Sequence, residues 1–131
     1  MNPDFINPLV LAYLGDSVLE LLVREYLVKD SGLAKTKDMQ KLAIDYVCAP
    51  SHMAFMMYAL ENNLLTQTEI DTYKRGRNTK NTKTETKEHR HSTGFEAIIG
   101  SLYLLDDKKR IKEIFAEYQK FIKSDTNMGR N

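Results

Sequence analysis

Much that would classify a chain quickly is missing from these 131 residues. There is one cysteine, Cys48, so an intrachain disulfide is excluded and nothing argues for an oxidising compartment. Uncharged stretches such as Phe5 to Gly15 fall well short of the roughly 20 apolar residues a membrane-spanning helix needs. The start, MNPDFINPLV, carries an acid and two prolines where an export signal would have a basic end and an apolar run. A cytoplasmic protein without a membrane partner is therefore expected. No glycine-rich phosphate loop, serine elbow or CxxC motif is present, which removes the commonest nucleotide, hydrolase and redox signatures. His89 and His91 have no third histidine or cysteine at a transition-metal spacing. A net charge of only +1 also argues against nonspecific coating of nucleic acid.

What is present is ordinary in amount and informative in pattern. Hydrophobic residues make up 42% and charged residues 28%, as in one globular domain, here expected over residues 1–123 with a flexible tail at 124–131. Apolar residues recur at helical spacing almost throughout and period-two alternation is absent, so the chain reads as all-α. The first helix is expected from Pro8 to Val28, with Leu14, Val18, Leu21 and Leu22 facing the core. Met39, Leu42, Ala43, Tyr46 and Val47 form the stripe of a second helix, and Pro50 ends that region. Ser51 is expected to cap a third helix, apolar nearly all round and hence central. Thr66 and Glu69 make a capping-box pattern for a fourth. A fifth helix fits STGFEAIIGSLYLL and a sixth DDKKRIKEIFAEYQKFIK, whose Ile111, Ile114, Phe115, Tyr118, Phe121 and Ile122 form one face.

Between the fourth and fifth helices the composition changes. From Lys74 to His91 seven basic residues face only Glu85 and Glu88, a local net charge of +5, and residues 76–91 read as an exposed basic loop. It is either a solvated linker or a surface for backbone phosphates. Aromatics are absent within it, which favours a duplex over stacked single strands.

Two acids interrupt apolar helices. Tyr13, Asp16 and Glu20 share a helical stripe beside Gly15; Thr93, Glu96, Gly100 and Tyr103 make a similar one. Glycine inside a helix costs about 1 kcal/mol relative to alanine, a cost offset where another backbone, a ligand or an ion must come close. An unpaired carboxylate in an apolar setting must be paired, protonated or bound to a cation, and Mg²⁺ takes hard oxygen ligands of this kind. Two plainer readings stand beside the metal site: Glu96 closing a capping box with Thr93, and Asp16 pairing with a basic side chain.

The stretches YLGDSVLEL and TGFEAIIGSLYL, joined by a segment containing KRGRN, resemble the ribonuclease III catalytic domain. With no second RNA-binding domain evident, the chain looks like the Mini-ribonuclease III branch. That resemblance implies a ribonuclease III-like helical bundle, working as a homodimer that cleaves double-stranded RNA. It further implies Mg²⁺, with Mn²⁺ able to substitute, held by the catalytic Asp16 and Glu96, with Glu20 as a third candidate ligand. The implied RNA contacts are Lys74, Arg75, Arg77, Asn78, Lys80, Lys83, Lys87 and Arg90. The implied substrate is the stem of precursor 23S ribosomal RNA, with ribosomal proteins as further partners on the precursor. The longer enzymes carry additional acids where this chain has Leu9, Ala12 and Thr93. The alternative is a noncatalytic double-stranded RNA-binding module of the same fold.

Overall fold

The structure, a computed structural model, describes residues 1–79 and 85–127. Among these residues there are six α-helices, a short 3-10 turn at Pro3–Phe5 and no strand: α1 Pro8–Asp30, α2 Thr36–Val47, α3 Ala49–Glu61, α4 Gln67–Asn78, α5 Lys87–Leu104 and α6 Lys108–Asn127. The all-α expectation holds. None of these helices is long and apolar enough to cross a membrane.

Local chemistry explains most boundaries. Asn7 caps α1 by accepting the Leu9 amide at 2.8 Å, with Pro8 in the first turn, where its missing N–H costs nothing. The Thr66–Glu69 capping box of α4 is present with both reciprocal bonds. One expected cap is displaced. Ser51 lies buried inside α3, 3.1 Å from the Cys48 sulfur, and the chain instead breaks at Cys48, whose extended backbone suits a residue shortly before a proline. The predicted tail begins late as well, since α6 continues to Asn127; residues 128–131 lie outside the described residues.

Helix α5 is the centre of the bundle, packed by α1, α3, α4 and α6. This corrects the expectation that α3 is central: α3 buries Phe55, Met56 and Ala59 but leaves Met57 and Tyr58 exposed. The buried side of α1 is also rotated from the expected one, being Leu11, Gly15, Leu19, Val23 and Leu27, while Leu21 is 65% exposed. A helix apolar on two sides does not reveal from its own sequence which side meets the core. Arg110 of α6 grips Glu69 of α4 through two 2.8 Å bonds and donates a third to the Leu64 carbonyl, tying α6 to α4.

Candidate active site

Helices α1 and α5 touch backbone to backbone. A Cβ added at Gly15 would overlap the carbonyl oxygen of Glu96 and stand 2.8 Å from the Gly100 nitrogen, and one added at Gly100 would overlap the Leu11 carbonyl oxygen. Two glycines, one on each helix, thus permit a contact that any side chain would forbid. The residue after one glycine is Asp16, and Glu96 is itself part of the contact. The Asp16 carboxyl is close enough to the Glu96 carboxyl to act on its ionisation. Acids eighty positions apart in the chain therefore form one unit.

Their environments differ. Glu96 is half-buried, whereas Asp16 is exposed, which corrects the expectation of an aspartate enclosed by apolar residues. Burial, and next the neighbouring Asp16 charge and hydrogen bond, push the Glu96 carboxyl up to about 9. No lysine or arginine among the described residues pairs with either acid. The capping-box reading also falls away, because α5 starts at Lys87 and Thr93 sits mid-helix, its hydroxyl donating to the His89 carbonyl. Two carboxylates held together without a cationic side chain suit a divalent cation, and Mg²⁺ in particular is often bound by one or two carboxylates with substrate phosphate oxygens. Glu20 is not part of this unit. Its carboxylate accepts from Arg24 at 2.9 Å, and no group of three or more potential ligands converges among the described residues.

Beneath the acids lies a histidine that the sequence patterns did not single out. His52 of α3 is fully buried, with Nδ1 2.7 Å from the Ser92 hydroxyl and Nε2 2.9 Å from the Tyr46 carbonyl, which also accepts the Tyr118 hydroxyl. Burial lowers its pKa to about 4, against the opposing pull of the Tyr46 carbonyl and the Asp16 charge. Ser92 stands one turn before Glu96, so this network fixes α5 just below the acid pair. The only sequence signal was a lone polar ring in an otherwise apolar helix.

Among the described residues the basic region is mostly helical rather than a loop over 76–91. Gly76 to Asn78 complete α4, and Lys87 to His91 form the first turns of α5 behind a Thr86 cap. The sequence concealed this because the stabilising contacts are tertiary. Gly76 and Gly94 allow α4 and α5 to touch, and the Tyr73 hydroxyl is hydrogen-bonded to His91 Nδ1 at 2.6 Å. Burial, then the charges of Arg77, Lys87 and Arg90, lower the His91 pKa and favour the neutral ring. The Arg77 guanidinium lies 5.3 Å from the centre of the Tyr73 ring and its Nε donates to Asn78. Lys74, Asn78, Lys87 and Arg90 are exposed. Arg75 is half-buried and committed to the N-terminal turn, donating to the Ile6 carbonyl at 3.0 Å with Asp4 4.0 Å away. Lys80 and Lys83 lie outside the described residues.

Comparison with known proteins gives the family. The model of the ribonuclease III domain matches residues 9–107. The Mini-ribonuclease 3 of Clostridium tetani is 39% identical over 113 residues, covering 83% of this chain and 74% of that protein. The Mini-ribonuclease 3 of Symbiobacterium thermophilum is 37% identical over 125 residues, covering 92% and 94% respectively. The crystal structure of a Fusobacterium nucleatum protein superposes with a TM-score of 0.74 at 28% identity, over 92% of this chain and 95% of that one. On both its sequence and its helical architecture, the chain belongs to the ribonuclease III family, within the Mini-ribonuclease 3 group.

Proposed function

We propose that this ribonuclease is a Mg²⁺-dependent endonuclease of double-stranded RNA, with Mn²⁺ able to replace Mg²⁺, and that Asp16 and Glu96 form its catalytic centre. The observation that carries this reading is the paired acids at the glycine crossing, one of them, Glu96, on the same helix as the cationic Lys87 and Arg90. When bound, the metal supplies charge to the scissile phosphate and acidifies a water. The chain's own part is placement: α1 and α5 fix two oxygen donors, Asp16 and Glu96, that would hold the cation. Lys74, Arg77, Asn78, Lys87 and Arg90 offer donors to the phosphates and 2′-hydroxyls through which A-form RNA is held.

The protein acts as a homodimer in this reading. Val10, Tyr13, Leu21 and Val28 stand on one side of α1 and are 55%, 81%, 65% and 70% exposed, an apolar stripe of about 27 Å. It continues into a groove of about 350 Å³ between α1 and α2 lined by Val28, Met39, Ala43 and Ile44. Surfaces of this kind mark association, and a second copy of α1 is self-complementary to it. The substrate is the stem of precursor 23S ribosomal RNA in the cytoplasm, cut with ribosomal proteins on the precursor.

The test is cleavage of an RNA duplex. Cutting is expected with Mg²⁺, abolished by EDTA and reduced at least about 100-fold by Asp16→Asn, the loss corresponding to several kcal/mol of transition-state stabilisation. Undiminished cutting by Asp16→Asn removes the acid pair from the chemistry. Duplex binding without cleavage at any Mg²⁺ or Mn²⁺ concentration favours the noncatalytic module. Light scattering should give a dimer that Leu21→Asp converts to a monomer.

A further inference from the structure

We propose that His89 is a substrate-contact residue that donates its Nε2–H to a backbone oxygen of the RNA strand passing Glu96, and so sets which phosphodiester bond reaches the acid pair. The proposal rests on the endonuclease reading above and extends its site along α5.

Three features carry it. The first is position: His89, Thr93 and Glu96 are spaced by four and three residues and share one face of α5, with His89 about 10 Å from Glu96 along the axis. The second is fixation. The Thr86 hydroxyl oxygen accepts the His89 amide hydrogen at 3.2 Å and lies 2.7 Å from the ring Nδ1. In the tautomer in which the Thr86 hydroxyl donates to Nδ1, the ring hydrogen sits on Nε2. The ring is thus held in place while its free donor remains on an exposed residue, so little conformational freedom remains to be lost on binding. The third is setting: exposed Lys87 and Arg90 flank it, against Glu88 alone of opposite sign on that turn. A fixed donor between two cations suits an oxygen of an anionic polymer.

The two histidines of HRHS therefore separate. His91 is buried and spends Nδ1 on Tyr73, joining α5 to α4, while His89 is exposed on the face that carries Glu96. Their spacing of two residues puts them on different sides of a helix.

The experiment uses one RNA duplex with a defined cut site and compares the wild-type protein, His89→Ala and His89→Gln. Loss of one hydrogen bond should raise KM about 3- to 10-fold in His89→Ala with a smaller change in kcat, and His89→Gln, which keeps a donor, should recover part of it. The melting temperature should not move, because the side chain is exposed. Duplexes carrying a single 2′-deoxy or methylphosphonate substitution are then scanned over the several nucleotides on either side of the cut. At the contacted position the substitution should weaken the wild-type protein and add nothing to His89→Ala. Coupling to the methylphosphonate assigns a phosphate oxygen; coupling to the 2′-deoxy assigns a 2′-hydroxyl. Equal KM for wild-type and His89→Ala, or additive effects at every position, overturns the contact. A wild-type protein that neither binds nor cuts the duplex removes the endonuclease reading, and this proposal with it.

Discussion

Helix α5 is crossed twice at glycine, and the two crossings are built differently. At Gly15 and Gly100 it meets α1 backbone to backbone, and the product is a pair of carboxyl groups with no cationic partner among the described residues. At Gly76 and Gly94 it meets α4 under an aromatic ring, and the product is a Tyr73–His91–Arg77 cluster whose polar atoms largely satisfy one another. The first crossing stores an unfavourable interaction that a cation would relieve. The second is complete in itself. Strain gathers where a ligand is to be bound, and satisfied networks gather where a surface is only to be held in shape.

The strongest test of this contrast is Gly15→Ala. Its Cβ would overlap a backbone carbonyl that cannot rotate away, so a loss above about 4 kcal/mol is expected, read as failure to fold or a collapse of the thermal transition. A near-normal melting temperature would show that the two helices can part without cost.

The acid side should also respond to pH, and in two directions. His52 binds its proton less tightly folded than unfolded, so stability present above about pH 6.5 is lost as pH falls toward 4. The full shift corresponds to about 3 kcal/mol, measurable as the difference in urea unfolding between pH 7 and pH 4. Glu96 has the opposite sign. Its carboxyl binds a proton more tightly folded than unfolded, so metal-free stability is highest below the ordinary carboxylate range and drains as pH rises toward about 9. Glu96→Gln should therefore stabilise the metal-free protein at pH 8 by at least about 1 kcal/mol and do nothing near pH 4. A pH-independent effect would deny that the Glu96 carboxyl is held above its ordinary range.

Smaller effects belong to the second crossing. At Gly76 a Cβ would stand 2.9 Å from the Gly94 Cα, but alanine also regains about 1 kcal/mol of helix propensity, leaving Gly76→Ala a net loss of about 1 kcal/mol by thermal melting. Tyr73→Phe keeps the ring under Arg77 and removes only the hydroxyl to His91. A loss of about 0.5–1 kcal/mol is expected, with the salt dependence of duplex binding unchanged. A flattened salt slope would mean that the hydroxyl, not the ring, places Arg77.

Much of this was legible in the chain, and particular residues show where legibility stopped. The capping box at Thr66, the start of α1 at Pro8 and the amphipathic face of α6 are local matters, and each appears as expected. Asp16 and Glu96 could be singled out because acids beside glycines in apolar helices need a reason. What local pattern could not provide was orientation. Leu21 and Leu19 are equally apolar, yet one is 65% exposed and the other 1%, and only packing against α5 distinguishes them. The first turns of α5 are polar enough to read as loop, and they are helical because Tyr73 and Gly76 from another helix hold them. Arg75 resembled its basic neighbours until Ile6 proved to be its partner.

By itself the sequence determined the helical class, most helix limits, the family and the two acids, since these depend on periodicity, capping and residue identity within one or two turns. The tertiary structure decided that Gly15 serves a backbone rather than a ligand, that the glutamate rather than the aspartate is the more buried acid, and that His89 and His91 face different tasks. Each of these depends on what approaches from a distant part of the chain, and a pattern of residues along one helix carries no record of its neighbour.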